Sequence, residues 1–130
     1  MIKSDLITCM NADPSTNALV NGKIVYEELP VSFDKTKNWI NWSYSRGSGE
    51  DATSEKDYVI TYNLTVQCVS PVLDTVDIIS NTLYNYLIKY IGSRIKNIEM
   101  ISESENTKEF KDTPQSVWYK TLTYQVDYYK

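Results

Sequence analysis

The sequence predicts an α+β protein, a two-layer sandwich in which helices cover one face of a mostly antiparallel sheet. Residues 58–68 and 116–129 alternate apolar and polar side chains, which is the pattern of strands packed on one side only. Between them, residues 71–91 carry apolar side chains at helical spacing, which predicts one long amphipathic helix. The residues that form its apolar face are Val72, Val76, Ile79, Leu83 and Leu87.

The elements before residue 58 are shorter. Residues 3–12 predict a helix that ends at a break at residues 13–15, and residues 17–30 predict a turn at Asn21-Gly22 followed by a strand at 23–27. Residues 37–45 predict a strand rich in aromatic and β-branched side chains. The alternation puts Trp42 on its core face and Trp39 on the opposite face, towards solvent or a partner.

The ends of the long helix and the elements after it follow from local signals. Ser70 predicts the N-cap, Pro71 the first helical position, and Gly92 the end of the helix. Residues 95–102 predict a strand, and residues 103–114 predict a polar connection to the last strand.

The length of 130 residues predicts one domain, residues 1–130, that can bury a core without metal or disulfide. Residues 46–56 are dominated by Gly, Ser and charged side chains, so they predict a flexible loop. The two cysteines, Cys9 and Cys68, lie far apart without a CxxC pair, and Cys68 continues an apolar face, so both thiols are expected to be reduced and Cys68 to lie in the core.

Composition argues against most kinds of chemistry. The chain contains no histidine, the commonest general base and metal ligand, so we expect no enzyme activity, no metal and no cofactor. Its net charge of -4 disfavours a protein that grips nucleic acid. No stretch of the sequence is long and apolar enough to predict a membrane span.

Three local patterns resemble one family. Residues 19–30 run from a Gly-containing turn through a basic residue and Ile to Pro30, residues 39–49 form an aromatic strand that ends in a Gly-containing loop, and residues 58–96 combine an alternating strand with a long helix before the closing strands. This order is similar to that of the tail-completion (tail-terminator) proteins of long-tailed bacteriophages. The resemblance covers nearly the whole chain, although the 46–56 loop is long and the connection at 30–37 lacks a second proline.

The resemblance implies a structural virion protein that is assembled in the host cytoplasm and located at the top of the tail. Members of this family look like homo-oligomeric rings, six-fold in form, that cap the tail tube protein and present a surface to a head-completion or stopper protein. DNA passes through the lumen without specific binding. Another neck, head–tail connector or minor tail subunit, and a small non-enzymatic binding module, remain as alternatives.

Several side chains are candidates for contacts in such an assembly. The acidic residues Glu103, Glu105 and Glu109 are candidates for the wall of the lumen, because repelled phosphates slide past. Aromatic and charged side chains in the loop or off the predicted core faces are candidates for subunit and partner interfaces; they are Trp39, Arg46, Glu50, Asp51, Tyr119 and Tyr129.

Overall fold

The computed structural model describes residues 2–27, 37–47, 59–110 and 116–129. These residues form three helices and six strands in the order helix, helix, three strands, helix, three strands. The bounds are α1 Ile2–Asn11, α2 Pro14–Val20, β1 Ile24–Tyr26, β2 Trp39–Arg46, β3 Val59–Ser70, α3 Leu73–Leu87, β4 Ile95–Glu103, β5 Thr107–Phe110 and β6 Ser116–Tyr129.

One sheet organises the described residues and confirms the α+β class. Its strand order is β1-β2-β3-β6-β4, and β5 pairs with β6 beside β4. The sheet is mixed, because β1 runs parallel to β2 whereas the other four pairings are antiparallel. Since β4 pairs with residues 122–128 of β6 and β5 with residues 116–119, these two strands follow one another along the same edge.

The hydrophobic core lies between the sheet and the helices. On β3 and β6 every second side chain points into it, as the alternation predicts, and Leu64 lies opposite Tyr124 with both fully buried. Trp42 on β2 is 2% exposed and packs against the ring of Tyr26, with 4.7 Å between the ring centroids. The buried residues that α3 contributes are Val76, Ile79, Ser80, Leu83 and Leu87.

The N-terminal region contains a helix that the sequence did not predict. Residues 14–20 are helical rather than part of a turn, and the predicted break is the point where α1 ends and α2 begins. The Asp13 carboxylate caps α2 by accepting hydrogen bonds from the backbone N–H groups of Ser15 and Thr16. The Asn21-Gly22 turn is confirmed as the end of α2, with φ of 52° and 75° at these residues.

The long helix is shorter than predicted. It ends at Leu87, several residues before Gly92, and its N-cap position is Val72, which is 57% exposed and does not join the core face. The Ser70 hydroxyl still accepts a hydrogen bond from the Val72 backbone N–H, at 3.0 Å. Ser70 therefore stabilises the entry to the helix from a position two residues before the N-cap.

Two predicted connections also need correction. The expected polar connection at 103–114 contains the end of β4 and the whole of β5. At the start of the expected loop at 46–56, Arg46 instead closes β2, and the backbone N–H of Gly47 donates to the carbonyl of Thr61 at 2.8 Å. Residues 48–56, which the prediction also includes, lie outside the described residues.

Candidate interaction surfaces

The face of the sheet opposite the helices carries mainly uncharged polar side chains. In the centre, Thr65 pairs with Thr123, and the neighbouring Asn63 pairs with Gln125. Along β2, β3 and β6, none of the described residues that point to this face is a lysine or arginine. We call this surface the open face; it offers hydrogen-bonding groups without a cation that would hold a phosphate.

One end of the open face is apolar, and it changes the interpretation of Trp39. The strand pairing sets Trp39 beside Val69 and Val69 beside Tyr119 in one row. Trp39 is on the predicted side of its strand, but it is 5% exposed and Val69 is 4% exposed, so the expectation that Trp39 faces solvent is wrong. Other residues of the chain cover this row, so its side chains are buried although they lie on the open face. The alternation of a strand predicts the face on which a residue lies, but it does not predict the exposure of that residue. Tyr119 is half-buried.

Two other candidate interface residues, Arg46 and Tyr129, lie at the opposite end of the sheet. Arg46 closes β2 and is exposed, with an interaction partner within the chain. Tyr129 closes β6 and is 43% exposed. Both lie next to the end of β3, since Arg46 pairs with Tyr62 and Tyr129 with Val59. Glu50 and Asp51 lie outside the described residues.

The fold separates the three acidic residues that were predicted to line a lumen. Glu103 lies on the helix side of the sheet, where its Oε2 is 2.6 Å from the Lys120 Nζ, and the same Nζ is 3.4 Å from Oδ1 of Asp77 on α3. Glu105 is exposed between β4 and β5, and Glu109 belongs to β5, paired with Val117. Glu103 is therefore an ion-paired residue. Of the three acidic candidates, only Glu105 and Glu109 lie farther along this edge of the sheet.

Lys120 was missed by the sequence reasoning, although a signal was present. It occupies an inward position of the alternating strand 116–129, between Trp118 and Leu122, where an apolar residue is expected. Its side chain is 13% exposed, and the hydrogen bond with Glu103 holds the pKa of Lys120 above its ordinary value. A charged residue at such a position indicates a partner charge on the element that packs above the strand.

A shallow cleft lies between α1 and the start of β4. Its volume is about 240 Å³, and Asp5, Tyr90 and Arg94 are among its lining residues. The Tyr128 hydroxyl donates a hydrogen bond to Oδ2 of Asp5 at 2.6 Å. This hydrogen bond connects α1 to β6 and positions Asp5 in the wall of the cleft.

The described residues contain reduced, inaccessible thiols and no arrangement for metal chemistry. Cys9 and Cys68 are free and buried, and burial raises the pKa of each thiol to about 12, so neither is a nucleophile near neutral pH. Among these residues, no group of three or more cysteine or acidic side chains is placed to hold a metal ion. None of the described helices has the length and apolar character needed to cross a bilayer.

Comparison with known proteins gives a structural likeness. No protein-family model matches the chain, and no curated protein sequence matches it. Among solved structures, the chain is similar to one chain of the virion of the native gene transfer agent (GTA) particle, with a TM-score of 0.68 and 9% sequence identity. The alignment covers 95% of this chain and 91% of the other, so the two share their fold over almost their full lengths.

Proposed function

We propose that this chain is a non-enzymatic structural protein of a phage-like virion. The observation that carries the proposal is the shared fold, which extends over 95% of this chain and 91% of a chain from the virion of a gene transfer agent particle. A fold hosts many functions, so a structural role in a virion also requires surfaces that fit it. The net charge of -4 is acidic, and among the described residues of β2, β3 and β6 that point to the open face none is a lysine or arginine. Both features fit a component that lies near packaged DNA without holding it.

Within the virion we propose the role of tail terminator. In this role six copies form a head-to-tail ring on the last ring of the tail tube protein and present their other side to a head-completion or stopper protein, while DNA passes through the lumen. The order of elements in the sequence supports this finer role. A head-to-tail ring uses two different surfaces of each copy, and its closure depends on the angle between them.

The proposed contacts use the two ends of the sheet. Tyr129 and Arg46 at one end, with Glu50 and Asp51 in the connection after β2, form one contact, and Tyr119 at the other end belongs to the second. Exposed aromatic and arginine side chains suit such contacts because they bury a large area and keep a polar tip. Glu105 and Glu109 are proposed to face the lumen, whereas Trp39 and Glu103 are engaged within the chain.

Disruption of the gene in its parent phage or particle tests the role. Lysates are imaged by negative-stain electron microscopy, with a plasmid copy of the intact gene as the control that restores the normal particles. The terminator role predicts filled heads beside unattached tails of irregular or excess length. Tails of normal length joined to heads would contradict it.

Mass spectrometry of purified particles separates the finer role from the coarser one. If the chain is found in intact particles but its loss leaves tail length unchanged, the protein is another neck or minor tail subunit. If the chain is absent from intact particles, the virion proposal itself fails and a small binding module becomes the working interpretation.

A further inference from the structure

The turn between α2 and β1 contains the one Asn-Gly dipeptide of the sequence, Asn21-Gly22. Asparagine is a chemically labile residue, and a following glycine increases this lability because it has no side chain to shield its backbone nitrogen. In deamidation, the glycine nitrogen attacks Cγ of the asparagine, a C–N bond forms, and ammonia leaves, which produces a succinimide ring. Water then opens the ring to aspartate or isoaspartate, so the complete reaction consumes one water and releases one ammonia.

Both residues of the dipeptide are accessible to water. Asn21 and Gly22 are exposed, and a Cβ added at Gly22 would meet no atom within 4 Å. In the described part of the chain, the side-chain amide of Asn21 has no hydrogen-bond partner. Neither burial nor a side-chain contact therefore protects this amide from the reaction.

The backbone geometry of the turn does prevent ring closure. Asn21 has φ of 52° and ψ of 42°. Because Cβ is offset by about 120° from the backbone nitrogen around the Cα–C bond, this ψ places the nitrogen of Gly22 at roughly 160° from Cβ of Asn21. A five-membered ring can close only when these two atoms lie on the same side of that bond. The attacking nitrogen therefore points away from the side chain, and a large rotation of ψ has to precede the reaction.

Backbone hydrogen bonds hold the turn in this geometry. The N–H of Gly22 donates to the carbonyl of Asn17 at 3.0 Å, which engages the group that has to lose its proton before the nitrogen can attack. One residue later, the N–H of Lys23 donates to the carbonyl of Val20, also at 3.0 Å. Rotation of ψ at Asn21 breaks both bonds, so it requires the end of α2 to open.

From this geometry we propose that Asn21 is a site of spontaneous deamidation that the folded backbone holds in an unreactive conformation. Only molecules in which the end of α2 has opened lose ammonia. Isoaspartate adds one carbon to the main chain, so the hydrogen bond between Gly22 and Asn17 cannot form again with the same geometry. The modification therefore makes a transient opening of the turn permanent. This proposal does not depend on a role in a virion.

Peptide mapping by mass spectrometry measures the reaction after incubation of the full chain at mildly alkaline pH. Deamidation changes the mass and the charge of the fragment that contains Asn21, and electron-transfer fragmentation identifies isoaspartate. The native chain is expected to deamidate at least about tenfold more slowly than the same chain unfolded in urea. Asn21→Gln places the amide one carbon farther from the backbone, so this matched control is expected to remain unmodified at residue 21 in urea.

Two destabilised variants separate opening of the turn from unfolding of the whole chain. Asp13→Ala removes the cap at the other end of α2 and is expected to increase the native rate about fivefold. Lys120→Met weakens the contact between α3 and the edge of the sheet, and β6 is separated from β1 by two strands. It is expected to leave the native rate unchanged within about twofold. Circular dichroism confirms that each variant is folded before incubation.

Three results would overturn the proposal. The first is an equal rate in the native and the urea-unfolded chain, which would show that the turn geometry does not block ring closure. The second is the absence of deamidation at Asn21 in urea. The third is an acceleration by Asp13→Ala that does not exceed that of Lys120→Met, which would show that opening of α2 does not control the reaction.

Discussion

Replacement of Lys120 by methionine removes the cation that connects α3 to the edge of the sheet. Lys120 Nζ lies 2.6 Å from Oε2 of Glu103 and 3.4 Å from Oδ1 of Asp77, and the Lys120 side chain is 13% exposed. Methionine retains most of the aliphatic stem, so the substitution reports mainly on the two polar contacts. Both carboxylates remain on α3 and β4 without their shared partner.

The magnitude follows from the exposure of the three side chains. Removal of one partner from a fully buried ion pair costs about 3–5 kcal/mol, because the remaining charge is left without solvent. The Glu103 and Asp77 side chains are 41% and 48% exposed, so water solvates them when the lysine is removed. We therefore expect Lys120→Met to lower the free energy of unfolding by about 1–2 kcal/mol, which corresponds to roughly 4–8 °C in melting temperature for a domain of this size.

Urea and thermal unfolding followed by circular dichroism measure this loss, with Lys89→Met as the control. Lys89 is an exposed lysine without an ion pair in the described part of the chain, and its replacement is expected to change stability by less than about 0.5 kcal/mol. Equal losses for the two variants would refute the ion-pair reasoning. In a double-mutant cycle, Glu103→Gln is expected to cost much less in the Lys120→Met background than in the wild type.

The pH dependence of stability gives an independent check on the same residue. Its hydrogen bond with Glu103 raises the pKa of Lys120 in the folded protein, so the folded state holds this proton more tightly than the unfolded state. The resulting stabilisation is complete below the pKa of an unfolded lysine and is lost as the pH rises through the higher folded value. Wild-type protein is therefore expected to lose more stability than Lys120→Met in the alkaline range above about pH 10.

Three further predictions concern the core, the thiols and the second helix. Trp42→Ala is expected to cost about 3–5 kcal/mol in urea unfolding because Trp42 is 2% exposed, whereas Tyr129→Ala, at a position 43% exposed, is expected to stay within about 0.5 kcal/mol. Cys9 and Cys68, each with a pKa of about 12, are expected to resist a thiol reagent at pH 8 in the folded protein and to react in urea; rapid labelling without denaturant would contradict their burial. Asp13→Ala removes the α2 cap and is expected to cost about 1 kcal/mol, and an unchanged unfolding midpoint would show that the cap is dispensable.

Regular periodicity made the centre of the fold predictable. The last strand has the predicted bounds, Ser116–Tyr129, because its alternation continues without interruption and its inward side chains meet a helix. The four positions Val76, Ile79, Leu83 and Leu87 are buried as their spacing predicts. These elements satisfy their local pattern and their tertiary contacts at the same time.

The missed elements depend on contacts that the sequence does not display. The four residues of β5, Thr107–Phe110, show no alternation and form a strand because β6 offers them backbone partners. In α2, the polar residues at 13–17 resemble a loop, but the Asp13 side chain satisfies the first backbone N–H groups of a short helix. The burial of Trp39 depends on what covers the open face near Val69, which no strand pattern reports.

The candidate sites were less predictable than the fold, for the same reason. A surface residue becomes part of a site only through its neighbours in the tertiary structure. The charge of Glu103 suggests the wall of a lumen, whereas the structure pairs its carboxylate with Lys120.

Cryo-electron microscopy of the intact particle neck tests the central claim most directly. We predict a ring at the head-proximal end of the tail tube into which six copies of this fold can be placed, with a lumen wide enough for duplex DNA. A well-resolved neck in which every density belongs to other proteins, in particles from which this chain is absent by mass spectrometry, would contradict the claim.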